Sequence, residues 1–192
     1  GGSFNAYSDK NLIASNLAIL NGDGTISSSW SPVIIGEVFT MAIDENYLYV
    51  GGAIKSFYTT SQFFTAPRKP DVSYNAISFD ITTPTNPTFE YNWKPKFNGP
   101  ISKFAFHDKN SNSYVYCYGA FTQVNNTDAM HFAAVNKTYR NSEFGQKYLL
   151  WKNTLEKPPS KINNALLRLP GSILVGGSFG RINESVRPYI AK

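Results

Sequence analysis

The sequence predicts an all-β fold made of a repeated four-stranded antiparallel unit, on three observations. A glycine-containing tetrapeptide recurs four times, as Gly1-Gly2-Ser3-Phe4, Gly51-Gly52-Ala53-Ile54, Tyr118-Gly119-Ala120-Phe121 and Gly176-Gly177-Ser178-Phe179, and self-similarity at such a period marks a repeat architecture. Around each copy lie short runs rich in β-branched and aromatic residues, punctuated by turn-forming residues. No stretch of helical length carries a sustained 3.6-residue apolar period.

The echo extends beyond the glycines. Three residues past each Phe or Ile stands an apolar or aromatic residue, Tyr7, Phe57, Val124 and Ile182. A short strand is expected next, at 16–21, 75–80, 131–136 and 188–192. A tryptophan then follows in three units, at Trp30, Trp93 and Trp151. The last strand before the next glycine pair is expected at 38–43, 101–106 and 162–167. Asn21-Gly22-Asp23-Gly24, Asp44-Glu45-Asn46, Asp108-Lys109-Asn110 and Pro170-Gly171 supply turns, because these residues accept positive φ or are pre-bent.

Two adjacent glycines weaken a strand, so Gly2, Gly52, Gly119 and Gly177 are expected at a bulge or where another backbone approaches closely. The structural role is favoured over a phosphate-cradling one, because no helix is expected to follow the pairs. Phe4, Ile54, Phe121 and Phe179 are expected to be buried at equivalent positions between neighbouring sheets. Trp30, Trp93 and Trp151 are expected to pack in equivalent places, each indole N–H hydrogen-bonded or at the surface.

The passages Leu17-Ala18-Ile19-Leu20-Asn21-Gly22-Asp23-Gly24-Thr25-Ile26 and Leu174-Val175-Gly176-Gly177-Ser178-Phe179-Gly180-Arg181-Ile182-Asn183 resemble the delta-60 type of β-propeller repeat. That pattern runs strand, Gly-Gly-x-Phe, short loop, Ala-x-Leu-Asn-like strand, Asp-Gly-Thr. The chain departs from it at Ile54 and Tyr118, and only the first unit keeps Asp-Gly-Thr. The resemblance implies that residues 1–192 form one propeller region of two complete blades and two partial ones, an excerpt of a longer chain. It implies little about function, since such folds serve many.

Per-repeat insertions often mark a binding face, and the unit from Gly52 to Gly119 is the longest. Its surplus lies at 58–73, where Tyr58, Phe63, Phe64, Arg68 and Lys69 stand together. Aromatic residues and Arg are enriched at interface cores. These five residues are therefore the candidate partner-binding loop, against the alternative that Phe63 and Phe64 fold back onto their own sheet.

The remaining composition excludes more than it assigns. Lys and Arg number 18 against 13 Asp and Glu, but they are dispersed, so nucleic acid is not an expected partner. Cys117 stands alone and rules out a disulfide framework. Asn-x-Ser/Thr sequons occur at Asn125, Asn136 and Asn183. No apolar run is long enough to span a membrane. His107 and His131 have no metal-ligand spacing, no paired carboxylates stand out for glycosidase chemistry, and no cofactor is expected. The sequence thus predicts a non-enzymatic structural and binding scaffold of an extracellular, cell-surface or virion protein, contacting protein subunits or surface glycans. A phage tail or fibre component is one alternative setting. A propeller-type carbohydrate-active enzyme is the competing class.

Overall fold

The structure, a computed structural model, describes residues 1–8, 11–30, 32–58, 71–72, 75–109, 112–137, 149–152, 161–169, 172–178, 181–182, 185–186 and 190–191. The described elements are all β, with no helix among them. The first sheet comprises β1 (Asn5–Ser8), β2 (Asn11–Ser15), β3 (Val33–Asp44), β4 (Tyr47–Tyr58), β5 (Asp71–Val72), β6 (Ala76–Asp80) and β7 (Thr88–Phe89). Within it β3, β4, β6 and β7 form an antiparallel meander, and the β1–β2 hairpin joins its edge through a single parallel pair, Ser15 with Val33. The second sheet repeats that meander with β8 (Ile101–Lys109), β9 (Asn112–Gly119), β12 (Phe132–Asn136) and β13 (Leu149–Lys152). Between its middle strands stands a small hairpin of β10 (Gln123–Val124) and β11 (Thr127–Asp128). A third sheet holds β14 (Lys161–Leu169), β15 (Ser172–Ser178) and β18 (Ile190–Ala191), with a small hairpin of β16 (Arg181–Ile182) and β17 (Ser185–Val186) beside it.

In each of the three larger sheets the repeated Gly-Gly or Tyr-Gly dipeptide sits opposite a bulge. Gly52 and Gly51 pair with Val38 and Thr40, leaving Phe39 over. Gly119 and Tyr118 pair with Ile101 and Lys103, leaving Ser102, while Gly177 and Gly176 pair with Ile162 and Asn164, leaving Asn163. An extra residue in one strand bends it and brings its backbone onto the partner. A Cβ on Gly52 would overlap the Glu37 carbonyl oxygen, and one on Gly119 would overlap that of Pro100. Close backbone approach is thus the reason for glycine there.

A second recurrent device follows each pair. Asn16, Asn75 and His131 adopt left-handed φ of 63°, 71° and 65°. Gly2, Gly52 and Gly119 donate their N–H to the carbonyls of these residues at 3.0, 3.1 and 3.1 Å. The same three residues donate back to the carbonyls of Phe4, Ile54 and Phe121 at 2.9, 3.1 and 2.9 Å. Asn tolerates the left-handed region better than other side chains, and here its amide is also used. Asn16 Nδ2 donates to the Ile34 carbonyl in β3 at 2.9 Å, and Asn75 Nδ2 donates to the Phe97 carbonyl, in the stretch that leads into the second sheet, at 2.9 Å. His131 Nδ1 instead lies 3.0 Å from its own Gly119 carbonyl oxygen.

Among the described residues the core forms two apolar layers. One gathers Leu17 and Trp30 with Ile34, Val50, Ile54, Phe57, Ile77 and Phe79 on one face of the first sheet. The other joins Tyr49, Ala76 and Trp93 to Phe97, Phe104, Cys117, Phe121, Val124 and Val135 of the second sheet. Val50 and Tyr49 face opposite layers, as the two-residue strand period requires. β3 and β4 lie against β8, and β14 lies against β8 and β9. Lys137, just after β12, forms an ion pair with Asp44 at the end of β3, and its ammonium lies 5.5 Å from the Phe106 ring centre. That pair ties the first two sheets together beside the aromatic layer.

Three expectations are corrected. Phe4 is 36 % exposed, whereas Ile54 and Phe121 are buried. Phe121 is covered by Phe97 at 4.8 Å between ring centres, and Ile54 shares its layer with Ile34, but no described residue takes that place over Phe4. The segment 16–21 is not a strand, having only the isolated bridge of Leu20 with Ile26. Its counterparts β6 and β12 ladder along β4 and β9, and a strand without such a partner has nowhere to place its backbone bonds. Trp30 and Trp93 are buried with no acceptor for the indole N–H. Their rings meet Phe79 and Tyr49 nearly perpendicularly, at 5.0 and 4.9 Å, so aromatic packing rather than a hydrogen bond holds them. Phe179 and the turn at Pro170-Gly171 lie outside the described residues, as does the side chain of Trp151, which sits in β13 opposite Ala134.

Candidate partner-binding surface

The connection after each glycine pair forms a small hairpin, and the hairpins differ in what they carry. β10 and β11 pair Val124 with Thr127 across a two-residue turn. Asn125 and Asn126 of that turn have φ of 51° and 61°, the left-handed pair a two-residue hairpin turn demands. Asn125 is also fixed from the side: its Oδ1 accepts the Lys96 N–H at 2.9 Å, and its own N–H donates to the Lys96 carbonyl at 2.9 Å. The sequon at Asn125 is therefore built into the frame. In the first sheet the end of β4 pairs with β5, Ser56 with Val72 and Phe57 with Asp71. Residues 59–70 are inserted where the second sheet has a turn of two.

Of the predicted loop residues, Tyr58 is half-buried at the end of β4 and pairs with Val33 of β3. Phe63, Phe64, Arg68 and Lys69 lie outside the described residues. The strand end that precedes the insertion is buried, since Phe57 is fully buried and packs on Phe79 and Phe89, and β5 pairs with it on the other side. A rigid base of this kind is what makes a loop useful for recognition.

A second surface was not foreseen. Met41 and Ile43 on β3 are 44 % and 64 % exposed, and the bulged Phe39 is 50 % exposed. Such exposure has no marker in a strand that carries apolar residues on both faces, Met41 and Ile43 on one and Ala42 on the other, because it depends on which sheet lies opposite. A third feature is polar–aromatic: Tyr91 is exposed, stacks edge-on against Phe89 at 4.6 Å, and has the Lys94 ammonium 4.8 Å from its ring centre. That arrangement is a cation–π contact on the outer side of the first sheet.

The shifted titratable groups among the described residues respond to burial and to turn hydrogen bonds. Burial pushes the Cys117 thiol and the Tyr49 hydroxyl up, so both stay protonated at neutral pH. The Thr25 hydroxyl, donating at 2.6 Å, and the Thr25 N–H hold the Asp23 carboxyl below the usual range. Thr82 does the same for Asp80. Both are aspartates closing turns. No cluster of three potential metal ligands exists among the described residues, and no described helix is long and apolar enough to cross a membrane. Comparison with family models, curated proteins and solved structures finds no match to this chain.

Proposed function

We propose that this chain is a non-enzymatic, propeller-type repeat scaffold whose loops make protein or glycan contacts at a cell or particle surface. The observation that carries the binding role is the insertion of residues 59–70 between the paired ends Phe57 and Asp71, where a sibling hairpin needs two residues. The segment contains Phe63, Phe64, Arg68 and Lys69, a composition suited to interface cores. The propeller reading is supported by three sheets that share one meander, one bulge position and stacked contacts through β3, β8 and β14. The scaffold reading is supported by titratable groups whose shifts come from turn bonds and burial in packed layers.

The test is a binding and turnover screen on one preparation. A glycan array and a panel of aryl glycosides are exposed to the chain and to a variant in which Asn-Gly replaces residues 59–70. Binding by the parent, lost in the variant, with no glycoside cleaved by either, is the expected result. Glycoside turnover by the parent would move the chain to the enzyme class.

A further inference from the structure

The two apolar layers of the fold are built alike, and one of them is only half covered. At the interface of the first two sheets, Phe104 pairs with Cys117 and Phe106 with Val115. On the other face of the first sheet the same register positions hold Met41 with Val50 and Ile43 with Leu48. The correspondence reaches single atoms. A Cβ on Gly51 would stand 2.8 Å from both Ile101 Cγ2 and Phe104 Cζ, and one on Gly1 would stand 2.6 Å from Val38 Cγ1 and 2.9 Å from Met41 Sδ. The coverage differs. Tyr49 lies over Phe104 and Phe106 at 6.1 and 5.1 Å between ring centres, with Ala42 and Tyr47 packed beside it, and Phe104 is only 5 % exposed. Met41 and Ile43 have no such cover among the described residues, although they continue the layer that Leu17 and Trp30 close.

We propose that the Met41–Ile43 half of this face is a socket for a β-hairpin of the β3–β4 kind, carried by a further repeat unit of the same array. The occupant presents a small residue on one strand and two aromatic residues two positions apart on the other, as Ala42, Tyr47 and Tyr49 do against the second sheet. Continuity with the Trp30 layer fixes where the hairpin sits, and the equivalence of Gly1 with Gly51 fixes its direction. An aromatic pair there would bury the Met41 thioether against ring faces, a favourable contact for sulfur. This inference rests on the repeat reading given above.

The test joins a copy of residues 40–50 directly ahead of Gly1, with leucine in place of the copied methionine, so that Met41 and Met130 remain the two methionines. Peroxide oxidation followed by peptide mass spectrometry reads both sites. Sulfoxide formation follows exposure, so the hairpin should slow it at Met41 about tenfold while Met130 stays unchanged. The same extension with serine at both copied tyrosines should not protect. Equal rates with and without the hairpin, or equal protection by the serine version, would overturn the socket. If Met41 of the unextended chain becomes protected as its concentration is raised, a second copy is the occupant and the proposal is overturned. Cys117, fully buried between the first two sheets, separates the two levels of the argument. A thiol that reacts freely in the parent would sink the stacked-sheet reading itself. A thiol protected in the parent beside an unprotected Met41 in the extended chain would sink the socket alone.

Discussion

Replacing Phe121 by alanine removes a ring that is 0 % exposed and stands 4.8 Å from the Phe97 ring at an interplanar angle of 63°. Deleting a buried phenylalanine costs about 3–5 kcal/mol, through lost transfer free energy and the cavity left behind. The edge-on pair with Phe97 places this site toward the upper part of that range, since such pairs add roughly 0.5–1.5 kcal/mol beyond area. The hydrogen bond from the His131 N–H to the Phe121 carbonyl is a backbone bond and survives the change. For a domain of this size the loss lowers the melting temperature by roughly 2–4 °C per kcal/mol. The matched control is Phe4→Ala, at the same place in the repeated tetrapeptide but 36 % exposed. It should cost no more than about 1 kcal/mol, in keeping with changes away from a packed core. Urea titrations of both variants, followed by tryptophan fluorescence and circular dichroism, give the comparison. Equal losses for the two variants, or a Phe121→Ala cost below about 1.5 kcal/mol, would refute the packing argument.

Asn75 allows backbone and side-chain terms to be separated. Asn75→Gly keeps the left-handed φ and removes the Nδ2 bond to Phe97, a loss of about 0.5–1.5 kcal/mol, and Asn75→Ala should cost about 1–2 kcal/mol more for the strained φ; equal urea midpoints for the two would contradict this. Gly52→Ala and Gly119→Ala place a Cβ on the carbonyl oxygens of Glu37 and Pro100 and should each cost about 1–3 kcal/mol, while Gly22→Ala, with open space around it, should shift the melting curve little. Asp23 and Asp80 have folded values held below the ordinary 3.8, so their contribution is present above that value and is lost as pH falls through the lowered one. A urea midpoint series between neutral pH and pH 2 should show that acid loss shrink in the Asp23→Asn, Asp80→Asn double variant; an unchanged series would show the turn bonds to be energetically silent.

Much of the frame was legible in the chain because it is written in local chemistry. Strands around Gly51-Gly52 and Gly119 follow from β-branched and aromatic runs, and the bulges follow from glycine where side chains are otherwise the rule. What escaped is relational. Asn16 and Asn75 read as strand starts, and nothing local says that their amides reach the Ile34 and Phe97 carbonyls of the next unit. Asp44 reads as a turn former, yet Lys137, far along the chain, completes an ion pair with it. Phe4 copies Phe121 in sequence and differs in burial because Phe97 has no counterpart over it among the described residues. The candidate loop at 58–73 stands out by its length and composition, and the pairing of Phe57 with Asp71 brings together the strand ends on either side of residues 59–70.

Partner recognition through residues 59–70 is the proposal that most needs a direct test. Replacing that segment by Asn-Gly leaves Tyr58-Asn-Gly between the paired Phe57 and Asp71, a three-residue hairpin length closed by a left-handed glycine. The decisive measurement is the binding of this variant and of the parent to the same glycan array and protein surfaces, on samples with Cys117 checked for protection. The account predicts an unfolding midpoint within a few degrees of the parent, a change expected of a loop replacement, together with loss of the parent's binding. Undiminished binding by the shortened chain, or a chain that no longer folds, would contradict it.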